Sequence, residues 1–129
     1  MNTKDANFKE LGFDIWRRWD SCINFIPDKT GVYVFRLNGE FCRLKGKTDI
    51  LYIGSSKSTL KKRLRFYNKP GPSQPTSQRL HKLLNMKEYK DVEIGWCIYK
   101  EDEVRNIENI LLEQFNKEHH ELPPWNRKR

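Results

Sequence analysis

Apolar positions along this chain come in short runs whose spacing changes from one segment to the next. Phe8, Leu11, Ile15, Trp16 and Trp19 recur at three- and four-residue steps, which predicts an amphipathic helix over residues 5 to 20. Pro27 and Asp28 close that segment. Gly31 to Leu37 is rich in Val, Tyr and Phe and predicts a strand, Asn38-Gly39 a tight turn into residues 40 to 45, and Gly46 to Asp49 a second turn. Ile50 to Gly54 predicts another short strand. From Ser55 a basic helix opens, with Ser58 as its N-cap and Leu60 and Leu64 facing the core. Pro70, Gly71, Pro72 and Pro75 mark a loop over residues 68 to 76. A short helix from about Ser77 carries Leu80, Leu83 and Leu84, and Val92, Ile94, Trp96 and Ile98 alternate as a core strand. A long helix follows from Glu101 to His119, and Pro123-Pro124 fixes an extended tail. The order is helix, strands, two helices, strand, helix: an α+β layout with helices packed on a small antiparallel sheet.

Two charged residues interrupt apolar stripes. On the last helix Val104, Ile107, Leu111, Leu112 and Phe115 form a stripe in which Glu108 takes a core-facing place. On the basic helix Leu60, Arg63, Leu64 and Tyr67 share one face. An unpaired carboxylate in such a position costs several kcal/mol, so Glu108 needs a cation, a set of donors or a cleft edge. Two arrangements satisfy the pattern: a structural ion pair between Arg63 and Glu108, or both at a cleft rim with a phosphate and a metal ion between them. Spacing does not choose between these. Tyr33 lies on the strand face opposite Val32 and Val34, and Tyr52 on the face opposite Leu51 and Ile53, so the two phenols share one side.

Composition narrows the partner. The 129 residues suffice for one domain, and no stretch approaches the roughly 20 apolar residues of a membrane span, which points to a cytoplasmic protein with no membrane contact. Cys22, Cys42 and Cys97 are widely spaced and signal neither disulfides nor a zinc site. His81, His119 and His120 lack ligand spacing as well. The net charge of +8 favours a polyanionic partner, and the charge is clustered. Lys57, Lys61, Lys62, Arg63 and Arg65 contain no acid among them, and Arg127, Lys128 and Arg129 end the chain. Gly54-Ser55-Ser56-Lys57 joins a strand to a helix, where backbone N–H groups can hold a phosphate, although a nucleotide P-loop is not present.

The ordered set Gly31-Val32-Tyr33, Tyr52-Ile53-Gly54, Lys61-Lys62-Arg63, Ile107-Glu108-Asn109 and Trp125-Asn126 resembles the motif series of the GIY-YIG nuclease superfamily, in particular its small phage and restriction-type members. The resemblance implies a three-stranded antiparallel sheet flanked by helices over residues 29 to 129, preceded by a helical extension over residues 1 to 28. It implies a metal-dependent endonuclease that hydrolyses DNA with one divalent ion, Mg²⁺ or Mn²⁺, held by Glu108. Arg63 and Tyr67 would contact the scissile phosphate, Tyr33 would be the general base, Tyr52 would align phosphate or water, and Asn126 would orient metal waters. Lys57, Lys61, Lys62, Arg65, Arg127, Lys128 and Arg129 are the expected nucleic-acid contacts. Tyr33 and Tyr52 stand further apart than is usual in the family, so residues 38 to 49 read as an inserted ribbon for substrate contact or dimer formation. A homodimer would let two single-strand cuts act together. Two alternatives stay open: a non-catalytic nucleic-acid-binding module of the same fold, and a nuclease acting on RNA or single strands.

Overall fold

The computed structural model describes residues 1–127; Lys128 and Arg129, expected above to touch nucleic acid, lie outside the described residues. Its frame is one antiparallel sheet of four strands rather than three: β1 (Trp16–Arg18), β2 (Gly31–Cys42), β3 (Lys47–Ser56) and β4 (Glu93–Ile98), in the order β1-β4-β2-β3. Helices α1 (Ala6–Glu10), α2 (Leu60–Asn68), α3 (Pro75–Leu84) and α4 (Glu101–His119) complete it.

The extra strand comes from the segment expected to be a helix over residues 5 to 20. Helix α1 stops at Glu10, because Gly12 takes φ of +103°, a conformation that ends a right-handed helix. Trp16, Arg17 and Arg18 then pair with Gly95, Ile94 and Glu93. The turn and strand happen to preserve a three- and four-residue spacing of apolar groups, and Phe8 and Phe13 are still buried. Asn38-Gly39 likewise is no turn. β2 runs through it with an irregular register between Arg36 and Phe41, and Gly39 sits at φ +129°. The chain reverses at residues 43 to 46, where Arg43 N–H donates to the Gly46 carbonyl at 2.9 Å.

The ribbon of residues 38 to 49 is thus the far end of the β2–β3 hairpin, clamped to the end of α4. Arg43 Nη2 donates to Glu121 Oε1 at 2.7 Å and to the Leu122 carbonyl at 2.9 Å, and His119 Nδ1 lies 2.7 Å from the Lys45 carbonyl. Helix α2 is capped by Thr59, one residue after the expected Ser58; its side chain accepts from Lys62 N–H. α3 begins at Pro75, the first-turn position that proline tolerates best.

The sheet divides the core in two. Tyr33, Phe35, Leu60, Leu64, Tyr67, Leu80, Leu84 and Trp125 fill the side under α2 and α3. Val32, Val34, Ile50, Ile53, Val104, Leu111, Leu112 and Phe115 fill the side under α4. Leu51 lies with Tyr52 rather than opposite it. The ladder pairs Phe35 with Tyr52 and Arg36 with Ile50, so Leu51 is the extra residue of a bulge.

The tail covers the outer edge of β3, a row of backbone groups that would otherwise be open to pairing. Trp125 N–H donates to the Leu51 carbonyl at 2.9 Å; Asn126 Oδ1 accepts from Ile53 N–H and Nδ2 donates to the Ile53 carbonyl, both at 3.0 Å. Among the described residues, no helix is long and apolar enough to cross a membrane.

The hairpin clamp is testable. Arg43→Ala removes a half-buried, charge-assisted contact and is expected to lower stability in urea by about 1.5–3 kcal/mol without changing the denaturant slope. An unchanged midpoint would show that the hairpin end contributes no stability through α4.

Candidate active site

A cleft of about 270 Å³ is lined from five elements and the tail: Tyr33 of β2, Tyr52, Gly54 and Ser55 of β3, Arg63 of α2, Thr76 and Arg79 of α3, Arg105 and Glu108 of α4, and Asn126 and Arg127. Five of the six expected catalytic residues line it. The sixth, Tyr67, reaches the same cluster through a hydrogen bond between its hydroxyl and that of Tyr33.

Gly54 sets the geometry of the phenols. It pairs directly with Tyr33 across the β2–β3 ladder, and a Cβ on it would stand 2.6 Å from Tyr33 Cζ and 2.8 Å from Tyr52 Cε2. Only a residue without a side chain lets both rings lie there. The Tyr33 and Tyr52 rings then stack at 6.1 Å between centroids, 27° from parallel, and Tyr67 meets Tyr33 edge to face at 6.1 Å.

Burial of Leu60, Leu64 and Tyr67 pins one face of α2 to the sheet and carries Arg63 with it. Its Nε is buried with no hydrogen-bond partner, and its guanidinium carbon lies 5.7 Å from the centre of the Tyr67 ring. On α4 the neighbouring stripe holds Glu108 with 18% of its side chain exposed. Ser55 Oγ donates to Glu108 Oε1 at 2.8 Å. Arg105 Nε stands 4.0 Å from the same oxygen, but that arginine is 64% exposed, so the pair contributes little. Among the described residues no ion pair joins Arg63 to Glu108. Of the two arrangements that spacing permits, the structural salt bridge is therefore not made: cation and carboxylate share a cleft without neutralising each other.

The phenols are held neutral. Burial, followed by the proximity of Tyr67 and Tyr52, pushes the Tyr33 pKa well above the ordinary tyrosine value, and Arg63 offsets only part of this. Tyr52 is raised for the same first reason, burial, with Tyr67 next.

Among the described residues no cluster of three His, Cys, Asp or Glu side chains offers a closed metal cage. Glu108 nonetheless suits a magnesium-type ion, which binds through one or two carboxylates and keeps several waters. Its Oε1 is oriented by Ser55, and its Oε2 makes no hydrogen bond within the described chain.

Two lining arginines went unrecognised in the sequence. Arg79 and Arg105 sit beside apolar stripes without interrupting them, so nothing in their spacing separates them from ordinary surface charges. Lys57, Lys61, Lys62 and Arg65 are exposed and do not line the cleft. Lys57 instead faces Glu101 and Asp102 at the start of α4.

A model of the GIY-YIG catalytic domain family matches residues 29–121. Among solved structures, the chain is similar to the GIY-YIG N-terminal endonuclease domain of UvrC from Thermotoga maritima bound to its catalytic divalent cation, magnesium. Identity is 21%, coverage 84% of this chain and 94% of that one, and the TM-score 0.53. A point mutant of that domain, bound to its catalytic divalent cation, matches at 19% identity with the same coverage and a TM-score of 0.48. At these identities the likeness concerns the fold. No curated protein matches.

Two outcomes follow from this geometry. Gly54→Ala forces both rings aside and is expected to destabilise the fold by about 1–3 kcal/mol, read by thermal unfolding; a neutral substitution would mean the rings tolerate displacement. Buried phenols also tie stability to alkaline pH. Their folded pKa values are raised, so their contribution is complete below about 10, where unfolded tyrosines begin to ionise, and is lost as pH rises beyond it. Tyr33→Phe should flatten that decline in urea titrations. An equal decline in the variant would exclude Tyr33 as its source.

Proposed function

This chain belongs to the GIY-YIG catalytic domain family, and we propose that it is a divalent-metal-dependent endonuclease that hydrolyses phosphodiester bonds in DNA by a one-metal mechanism. The observation that carries this reading is the unneutralised pair: Arg63 and Glu108 line one cleft, neither pairs with the other, and Arg63 Nε has no acceptor. A phosphate for the arginine and a cation for the carboxylate would satisfy both at once.

Glu108 is the proposed ligand of one Mg²⁺ or Mn²⁺, with Ser55 fixing the plane of the carboxylate. When bound, such an ion stabilises negative charge on the phosphate and on the leaving oxygen. Arg63 presents a planar fork of donors to the scissile phosphate and stabilises the charge that builds in the transition state. Tyr52 borders the same space and orients phosphate and attacking water by hydrogen bonding, while the buried Tyr67 acts from behind, through its hydrogen bond to the Tyr33 hydroxyl. Asn126 has already committed its amide to Ile53, so its first contribution is to hold the tail, and with it Arg127, against the cleft.

Tyr33 is the proposed general base, and its chemistry is constrained. Bringing a phenol from about 10 to 7 takes roughly 4 kcal/mol, about the effect of one cation some 4 Å away at an effective dielectric near 20. Burial raises that requirement further. In the free protein, Tyr33 is a neutral phenol whose hydroxyl is fixed by Tyr67; proton transfer to it therefore depends on the positive charge of the loaded site.

Cleavage of plasmid, single-stranded DNA and RNA, with Mg²⁺ and with EDTA, tests the assignment. Activity should require the ion, and Glu108→Gln should abolish it; activity that survives both would sink the one-metal reading. Arg63→Ala should lower kcat by roughly 10²–10³-fold with little change in KM, as expected for a donor that acts on transition-state charge. Equal losses in binding and rate would make Arg63 a structural residue.

A further inference from the structure

We propose that Arg79 of α3 and Arg127 of the tail form a second phosphate subsite, which grips the phosphodiester next to the scissile one on the same nucleic-acid strand. The inference rests on the nuclease reading for the identity of its ligand and on the cleft itself for the site. Four arginines line this space, Arg63, Arg79, Arg105 and Arg127, against the single carboxylate of Glu108. A net charge of 4 − 1 = +3, before any divalent ion is added, far exceeds the one negative charge of a scissile phosphodiester. Nucleic acid supplies the remainder, because each nucleotide brings a further phosphate.

Arg79 is held for this task by its helix. Ser77, Leu80 and Leu84 are buried, and His81 Nδ1 lies 2.7 Å from the Tyr67 carbonyl, so α3 is fastened to the end of α2. Arg79 is half-buried on the shoulder of that buried stripe and turned into the cleft. Among the described residues no carboxylate or carbonyl accepts from its guanidinium, and none accepts from that of Arg127. Glu108, the one acid that lines the cleft, accepts from Ser55, and the arginine that approaches it is Arg105, at 4.0 Å, rather than Arg79 or Arg127. Burial first, and Arg127 second, lower the Arg79 pKa: two like charges stand near each other in a partly desolvated place. Such a pair is unfavourable alone and favourable around an anion.

The start of α3 adds donors. Thr76 lines the cleft, and no side chain caps the helix, since Gln74 Oε1 accepts instead from Gly71 N–H at 2.8 Å. Thr76 thus brings its hydroxyl to the cleft at a helix start that no side chain caps.

The test is a binding experiment in EDTA, where no cleavage occurs, using single-stranded oligonucleotides in which one phosphate at a time is replaced by a neutral methylphosphonate. For the wild-type chain, one linkage beside the scissile position should weaken binding when neutralised. In Arg79→Gln and in Arg127→Gln that penalty should vanish, and the slope of log affinity against log salt should fall by roughly 0.7, the value for one phosphate on a single strand. Gln preserves most of the side-chain stem, and the methylphosphonate arm leaves the protein untouched, so a folding defect cannot imitate the coupling. The same penalty at every linkage in wild type and variants, with unchanged slopes, overturns the subsite. Cleavage of unmodified substrate with Mg²⁺ is scored separately. A wild-type chain that shows the coupling but cuts nothing retains the subsite and loses the nuclease reading; one that cuts without coupling loses the subsite alone.

Discussion

Tyr33 and Gly54 face one another across β2 and β3, and the absence of a single Cβ at that point lets two aromatic rings lie against the strand. Much of the site is referred to this contact. The Tyr33 hydroxyl is placed to bond with Tyr67, which fixes the inner face of α2 and so the height at which Arg63 enters the cleft. On the other side of the sheet, Ser55 follows Gly54 directly and meets Glu108. One short stretch of β3 thereby coordinates side chains from two helices that never need to touch. It is edge backbone, and the tail closes it through Trp125 and Asn126, which brings Arg127 to the same place.

The cleft departs from the rule that half-buried charges find partners within the fold. Elsewhere the rule holds: Arg36 bonds Glu93 and Thr3, and Arg43 bonds Glu121. In the cleft, among the described residues, the half-buried Arg63 and Arg79 have no carboxylate partner, and the exposed Arg127 stands beside them. Residues that violate local satisfaction in an otherwise consistent structure mark the places where something other than stability has been favoured. The contrast between Arg43 and Arg63 is instructive, since both leave a buried Nε unmatched, yet only Arg43 has a carboxylate on its other nitrogens. The first is a clamp. The second is a donor set beside the Tyr33 phenol, with no carboxylate of its own and its Nε unmatched.

What the sequence disclosed depended on whether a residue's role was written in its spacing. α4 was legible along most of its length, because its stripe is regular and Glu108 stands out in it; at its end the burial of His119 against the Lys45 carbonyl was not. Arg63 announced itself the same way. β1 did not, because a helix turn broken at Gly12 and followed by a strand reproduces helical spacing closely enough to hide the break. Asn38-Gly39 reads as a hairpin turn, and the pairing across β2 and β3 overrides that local preference by continuing to Cys42 and Lys47. The bulge at Leu51 is likewise a property of the pairing; no pattern within β3 signals that Leu51 and Tyr52 share a side. Arg79 is the clearest omission. An arginine beside a leucine stripe is what any solvated helix offers, and only the approach of α3 to the tail converts it into part of a wall.

Burial of the tyrosines and exposure of the charges have complementary consequences for chemistry. A neutral, fully buried Tyr33 adds to the packing of the sheet and gives up reactivity in the free protein, since its proton is held by desolvation. Arg63 opposes that effect only in part. Under the one-metal reading proposed above, reactivity would not be a property of the phenol alone; it would arrive with further positive charge at Glu108, on the other wall of the same cleft. On that reading, the site would be inert until both the cation and the phosphate are present. The positive wall formed by Arg63, Arg79 and Arg127 would act in the same direction, because an anion bound there would also exclude water from around the phenols, and lower local dielectric strengthens every charge–phenol interaction. On the proposed reading the fold would couple substrate arrival to the ionisation that hydrolysis needs, through arginines that lack a carboxylate partner in the cleft among the described residues.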